Sequence, residues 1–171
     1  MTTPEREPAD RADEIAHAWA REQPDLLVGS IGILTRIWQA AKLLSDERRR
    51  TLAAVGMDAA TLDLLSTLRR AGPPYQLSTR ELSARCLVTA GAVTQRVDRA
   101  ERSGLVRRLP PERGSRLVLV ELTSSGHAAV QRAVSAVLTH EQGLVDVLDA
   151  QQQSQLTSLL TELLGGLRDR R

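Results

Sequence analysis

Two capped helices with a three- or four-residue break between them, followed by an arginine-rich hairpin, fill residues 78–122 and leave few folds open. Ser78-Thr79-Arg80-Glu81 is a capping box, in which the Ser78 hydroxyl accepts from the Glu81 amide and the Glu81 carboxylate returns to the Ser78 N–H. Leu82 then faces inward on a brief helix. Thr89 caps a second helix with the inner face Ala92, Val93, Val97 and Ala100, and Ser103-Gly104 ends it. Such a pair is a helix-turn-helix pattern. Beyond Gly104, LVRRLP and RLVLVEL are strand-like, the second alternating Leu117, Leu119 and Glu121 with Val118, Val120 and Leu122. Between them PERGSR has the proline and glycine of a hairpin loop. Helix-turn-helix plus hairpin predicts a winged helix.

The flanking segments read as helix. Ile15, Ala18 and Trp19 share one face of a short helix over 11–21, closed by Pro24. Leu27, Ile31, Leu34, Trp38 and Ala41 repeat at helical spacing over 27–54. Asp58 caps a leucine-rich helix that Gly72-Pro73-Pro74 stops. Thr123 caps another helix reaching about residue 149, with Val130, Val134, Val137 and Leu138 on one face. The last, 152–167, puts Leu156, Leu159, Leu160, Leu163, Leu164 and Leu167 at three- and four-residue spacing, a face that needs a partner surface. That partner is either the rest of the chain or a second copy. The fold class is mainly α with a small β-hairpin wing. The predicted organisation is 11–54 for N-terminal helices, 55–123 for the winged helix-turn-helix, and 124–171 for C-terminal dimerisation helices.

Charge points in the same direction. Between Arg96 and Arg116 seven arginines face three acids, an excess of four inside a chain whose formal net charge is only +2. A local basic stripe is the electrostatic footprint of a nucleic-acid binder, although charge runs are also common on plain solvated faces. Other classes fall away. No run approaches the roughly 20 apolar residues of a membrane span, and MTTPEREPAD has no basic start with an apolar core, so a cytoplasmic protein is expected. The single Cys86 cannot form an internal disulfide and reads as a small apolar filler. His17, His127 and His140 are too scattered for a zinc site. No nucleophile and base stand in a recognisable constellation and no glycine-rich phosphate loop is present, so neither an enzyme nor a cofactor is expected.

In this order the elements resemble the multiple antibiotic resistance regulator (MarR) family of bacterial transcription factors. GAVTQRVDRAERSGLVRR (91–108) is similar to the family's segment from recognition helix to wing, and VLVELTSSG (118–126) to its wing-exit pattern; the likeness covers essentially 11–168. One departure is clear: Gly114-Ser115-Arg116 stands where the family usually has Asp-Arg-Arg, so the aspartate that braces the tip arginine is missing. The resemblance implies a homodimer on palindromic double-stranded DNA.

Physics assigns the contacts. Base edges in the major groove are read from the N-terminal half of a helix, which selects Thr89, Thr94 and Gln95, with Arg99 one turn further on. Gln95 suits bidentate reading of an adenine. Thr79 and Arg80 are placed to meet phosphates, and Arg113 and Arg116 to probe a narrow minor groove. The competing reading for each is a polar side chain that simply faces water. A urate-responsive branch of the family builds its ligand pocket from a tryptophan, an aspartate and two arginines, and the resemblance places these at Trp19, Asp63, Arg96 and Arg108. Guanidinium groups suit a planar anion such as urate, and an indole can cover its face. Alternatively Trp19 is core, Asp63 faces water, and the arginines bind phosphate. A helical dimerisation adaptor without DNA binding remains the other reading of the leucine-rich ends.

Overall fold

A computed structural model describes residues 10–110 and 118–170. Its contacts divide the chain into two units, Met1–Arg48 and Arg49–Arg171.

In the first unit, α1 (Arg11–Glu22) starts because the Asp10 carboxylate accepts from the Ala12 and Asp13 amides at 2.9 and 3.2 Å. The long helix α2 (Gly29–Ala54) begins in this unit. Its Arg36 donates to Asp10 at 2.7 Å and Asp13 at 2.9 Å, so one guanidinium ties α2 to the capped start of α1.

The second unit carries the fold's core. Asp58 caps α3 (Ala59–Arg70) by accepting from Thr61 N at 2.8 Å, and the helix buries Leu62, Leu64, Leu65 and Leu68. A three-residue strand β1 (Gln76–Ser78) leads into α4 (Thr79–Cys86), and α5 (Ala90–Arg102) follows after the turn. Strands β2 (Val106–Leu109) and β3 (Leu119–Leu122) form the wing's base. The antiparallel sheet runs β1-β3-β2, with Val120 opposite both Leu77 and Arg108. Helices α6 (Ser124–Val145) and α7 (Ala150–Arg168) complete the chain. One apolar cluster joins Leu65 and Leu68 of α3, Leu82 of α4, Val93, Val97 and Ala100 of α5, Val106 and Val120 of the sheet, and Val130, Ala133 and Val137 of α6. Burying each leucine or valine of this cluster stabilises by roughly 1.5–3 kcal/mol. The expected mainly α winged helix is therefore what forms.

Three expectations are corrected. Ala92 is only half-buried, because the inner stripe of α5 runs Val93, Val97, Ala100 and Ala92 lies about 100° round from it. Leu138 is 59% exposed, since Val130, Ala133 and Val137 already fill the face of α6 that meets the core. The helix expected through about 149 ends at Val145, and Asp149 opens α7 with a capping box to Gln152. No residue of α7 is buried, so packing within the chain does not cover its leucine face.

The box at Ser78 is present in full: Glu81 N donates to Ser78 Oγ at 3.2 Å, and Ser78 N and Oγ both donate to the Glu81 carboxylate at 2.9 and 2.7 Å. Those bonds from Ser78 hold the Glu81 carboxyl below its ordinary value. A depressed carboxyl adds stability above its unfolded value and loses it as pH falls through the unfolded value toward the folded one. Ser78→Ala is accordingly expected to cost about 1 kcal/mol at neutral pH and to flatten the acid-side decline of stability, both readable from denaturant melts between neutral and acid pH. An unaltered acid-side profile would remove Glu81 from the account.

Candidate nucleic-acid interface

Burial of Val93 and Val97, at 1% and 0% exposure, fixes which way α5 faces. Thr94 and Gln95 are consequently exposed. Thr94 Oγ1 donates to Ala90 O at 3.1 Å, and the Gln95 amide makes no hydrogen bond among the described residues. An outward amide without an internal partner is what bidentate base reading requires. Thr89 is exposed, but its hydroxyl accepts from Ala92 N at 3.3 Å, so one of its lone pairs is already used as a helix cap. At the start of α4, Thr79 is half-buried and Arg80 exposed. Arg113 and Arg116 lie outside the described residues.

The five described arginines of the basic stripe each have a partner within the chain. Arg96 Nη1 donates to Asp63 of α3 at 2.7 Å, with the two side chains 24% and 40% exposed. Arg99 reaches Asp58, the cap of α3, at 3.3 Å. Arg107 pairs with Glu121 on the neighbouring strand, which also accepts from Gln76 of β1 at 2.8 Å. Arg108 donates to Asp98 and Glu101 together, and its own backbone N–H reaches Glu101 at 2.9 Å. Arg102 donates to the Asp98 carbonyl at 3.3 Å. Four of the five described arginines in the stripe therefore clamp α5 and the wing's base to their surroundings.

The carboxylate shifts follow this wiring. Bonds from Gln76 and then Arg107 hold the Glu121 carboxyl below its ordinary value. For Asp58 the Thr61 amide is the largest cause of a similar lowering, with Arg99 adding to it. Asp98 and Glu101, weighed against burial, push the Arg108 guanidinium further up.

Among the four residues assigned to a ligand, Asp63 and Arg96 are brought into contact. Arg108 is held by other carboxylates, and Trp19, 47% exposed, belongs to the first unit. What sequence reading missed are the partners Asp58, Asp98, Glu101 and Glu121. The spacing of Asp98 and Glu101, three apart on one face of α5, is the signal that could have shown two of them. Among the described residues no group of three His, Cys, Asp or Glu side chains could hold a metal ion, and no single helix is long and apolar enough to cross a membrane. Cys86 is half-buried with its thiol 3.5 Å from Thr67 Oγ1, and burial pushes the thiol up, away from the reactive thiolate.

Residues 55–117 match the profile of the MarR family. The chain is 28% identical over 147 residues to the HTH-type transcriptional regulator PecS of Dickeya dadantii, a match covering 86% of this chain and 89% of that protein. The oxidised form of MarR from E. coli is 30% identical, with 77% of this chain and 93% of that one covered and a TM-score of 0.63. A MarR family transcriptional regulator from Streptomyces coelicolor, solved in complex with DNA, is 27% identical, with 83% and 94% covered and a TM-score of 0.68.

Proposed function

Because the chain belongs to the MarR family and is a winged-helix transcriptional regulator, we propose that it acts in the cytoplasm as a homodimer on a palindromic operator, as a repressor that a small organic anion such as urate releases. The observation that carries this reading is the state of α5: its inner face is locked into the core, Gln95 points outward, and one of its two ion pairs to α3 is Arg96–Asp63, which an anion can compete for. The uncovered leucine face of α7 supports pairing of two copies, with 11–54 and 124–171 supplying the dimerisation helices. A twofold pair would lay two reading helices into successive major grooves. The relatives are transcriptional regulators, and the reading includes no enzymatic activity.

Asp63, Arg96 and Arg108, all in the second unit, are the residues proposed to meet the anion. Guanidinium groups bind carboxylate-like or urate-like edges through paired charge-assisted bonds. If the anion takes Arg96 from Asp63 or Arg108 from Asp98 and Glu101, the reading helix loses a tie and its half-site spacing shifts. DNA and anion then oppose each other through a shift between two dimer geometries.

The test is a titration of the protein on labelled DNA from upstream of its own gene, followed by urate, citrate and aconitate. Binding followed by release is the expected result, and unchanged DNA affinity at saturating anion would eliminate that inducer. Asp63→Asn loosens the same tie, so it should itself weaken ligand-free DNA binding, and it should change the anion concentration for half-release by roughly 10-fold or more, as loss of a hydrogen bond to a charged group implies. An unchanged half-release point would place Asp63 outside the response. A pure duplex with no affinity for the protein would favour the helical dimerisation adaptor.

A further inference from the structure

Leu87 carries two penalties at once. It ends α4 in the left-handed region, φ 53° and ψ 42°, which strains a side-chain-bearing residue and suits glycine. Its side chain is also 90% exposed, so burial returns almost nothing. The turn does not need a leucine. Its geometry is set by the Leu87 and Val88 amides donating to Ser83 O and by the Ser83 hydroxyl donating to Val88 O, all bonds that glycine at 87 would leave in place. A residue that is both strained and exposed, in a turn built without it, is a functional candidate rather than a structural one.

Its position says for what. Leu87 lines a shallow apolar groove with Ser83, Ala84, Val88, Thr89 and Ala92. Thr89 and Ala92 belong to the start of the reading helix, so this apolar patch is continuous with the face that offers Thr94 and Gln95. The only apolar feature that a base edge presents in the major groove is the 5-methyl group of thymine. We propose that Leu87 is a specificity contact that packs on a thymine methyl in the operator. This inference rests on the DNA-reading function proposed above and names one base that the reading selects.

The experiment compares binding to an operator fragment made with thymine and the same fragment made with deoxyuridine, which removes each 5-methyl group and keeps every hydrogen-bonding edge. One buried methyl is worth about 0.8 kcal/mol, or about 4-fold in affinity. The wild-type chain is expected to bind the uracil fragment at least about 4-fold more weakly, and Leu87→Ala to shrink that ratio by about 4-fold. Leu87→Gly should share the loss of discrimination while melting about 1–3 °C higher, since the backbone strain is relieved. A purely structural leucine would not move the thymine-to-uracil ratio. Equal ratios in wild type and Leu87→Ala would overturn the contact while leaving DNA binding intact. Absence of binding to either fragment would overturn the regulator reading and this contact with it.

Discussion

Gly126→Ala is expected to destabilise the protein by about 3 kcal/mol or more, at the upper end of what overpacking costs. Alanine is normally the better helix former by about 0.5–1 kcal/mol, so the expected sign is opposite to the local one. The reason is long-range: a Cβ on Gly126 would lie 2.0 Å from the Leu105 carbonyl oxygen and 3.0 Å from both Leu105 C and Leu122 Cδ2. The first two contacts are backbone and cannot rotate away. Relief requires moving the start of α6 off the junction between α5 and β2. That junction is bonded on all sides: Thr123 N donates to Leu105 O at 3.1 Å, Thr123 Oγ1 lies 2.7 Å from Gly104 O and 3.1 Å from Leu105 O, and Gly126 N donates to Thr123 Oγ1 at 3.0 Å. In a chain of this size the melting temperature should drop by roughly 6–12 °C. Gly143→Ala on the same helix is the control, because nothing lies within 4 Å of its added Cβ, and it should be neutral or stabilising. If Gly126→Ala melts within a degree or two of the parent, the close approach of α6 to Leu105 is not a constraint.

The second large effect concerns salt. A regulator making 6–10 phosphate contacts loses about 10³–10⁵ in affinity between 50 and 200 mM salt, and the proposed dimer is expected to fall in that range. Which arginines carry the slope is decided by the internal pairing. Arg96, Arg99, Arg107 and Arg108 are each held by carboxylates, so a phosphate must displace a partner to recruit them. Arg80 is exposed at the start of α4 and has no ion pair among the described residues. Arg80→Ala should therefore weaken binding to all duplexes alike and reduce the log–log salt slope by about 1 per protomer. Arg108→Gln should leave the slope nearly unchanged while lowering stability, since it strips Asp98 and Glu101 of a shared cation. A slope that responds to Arg108 as strongly as to Arg80 would mean the clamp opens on DNA.

The same arginines show where sequence reading stops. Their number was plain from residues 96–116, and it pointed correctly to a DNA-binding fold, but most of them serve as ties between α5, α3 and the sheet. Pairings such as Arg96 with Asp63, 33 residues apart, have no local signature. Strand β1 was likewise invisible: three residues pair with β3 some 40 residues later, and a run that short has no alternation to detect. Leu138 follows the apolar spacing of α6 yet stays exposed, because spacing defines a stripe and not its width.

By itself the sequence determined four of the helix starts and three positions of the inner stripe of α5. Asp58, Ser78, Thr89 and Thr123 each cap their own helix, and Val93, Val97 and Ala100 are buried together. Those outcomes depend on interactions between residues two to seven apart, which the order of side chains specifies directly. Only the tertiary structure decided which carboxylate holds each arginine, that Gly126 must lack a side chain, and that Leu87 stands strained and open beside α5. These depend on which backbone atoms and charges from distant segments arrive within a few ångströms, and the packing of the whole core sets those distances.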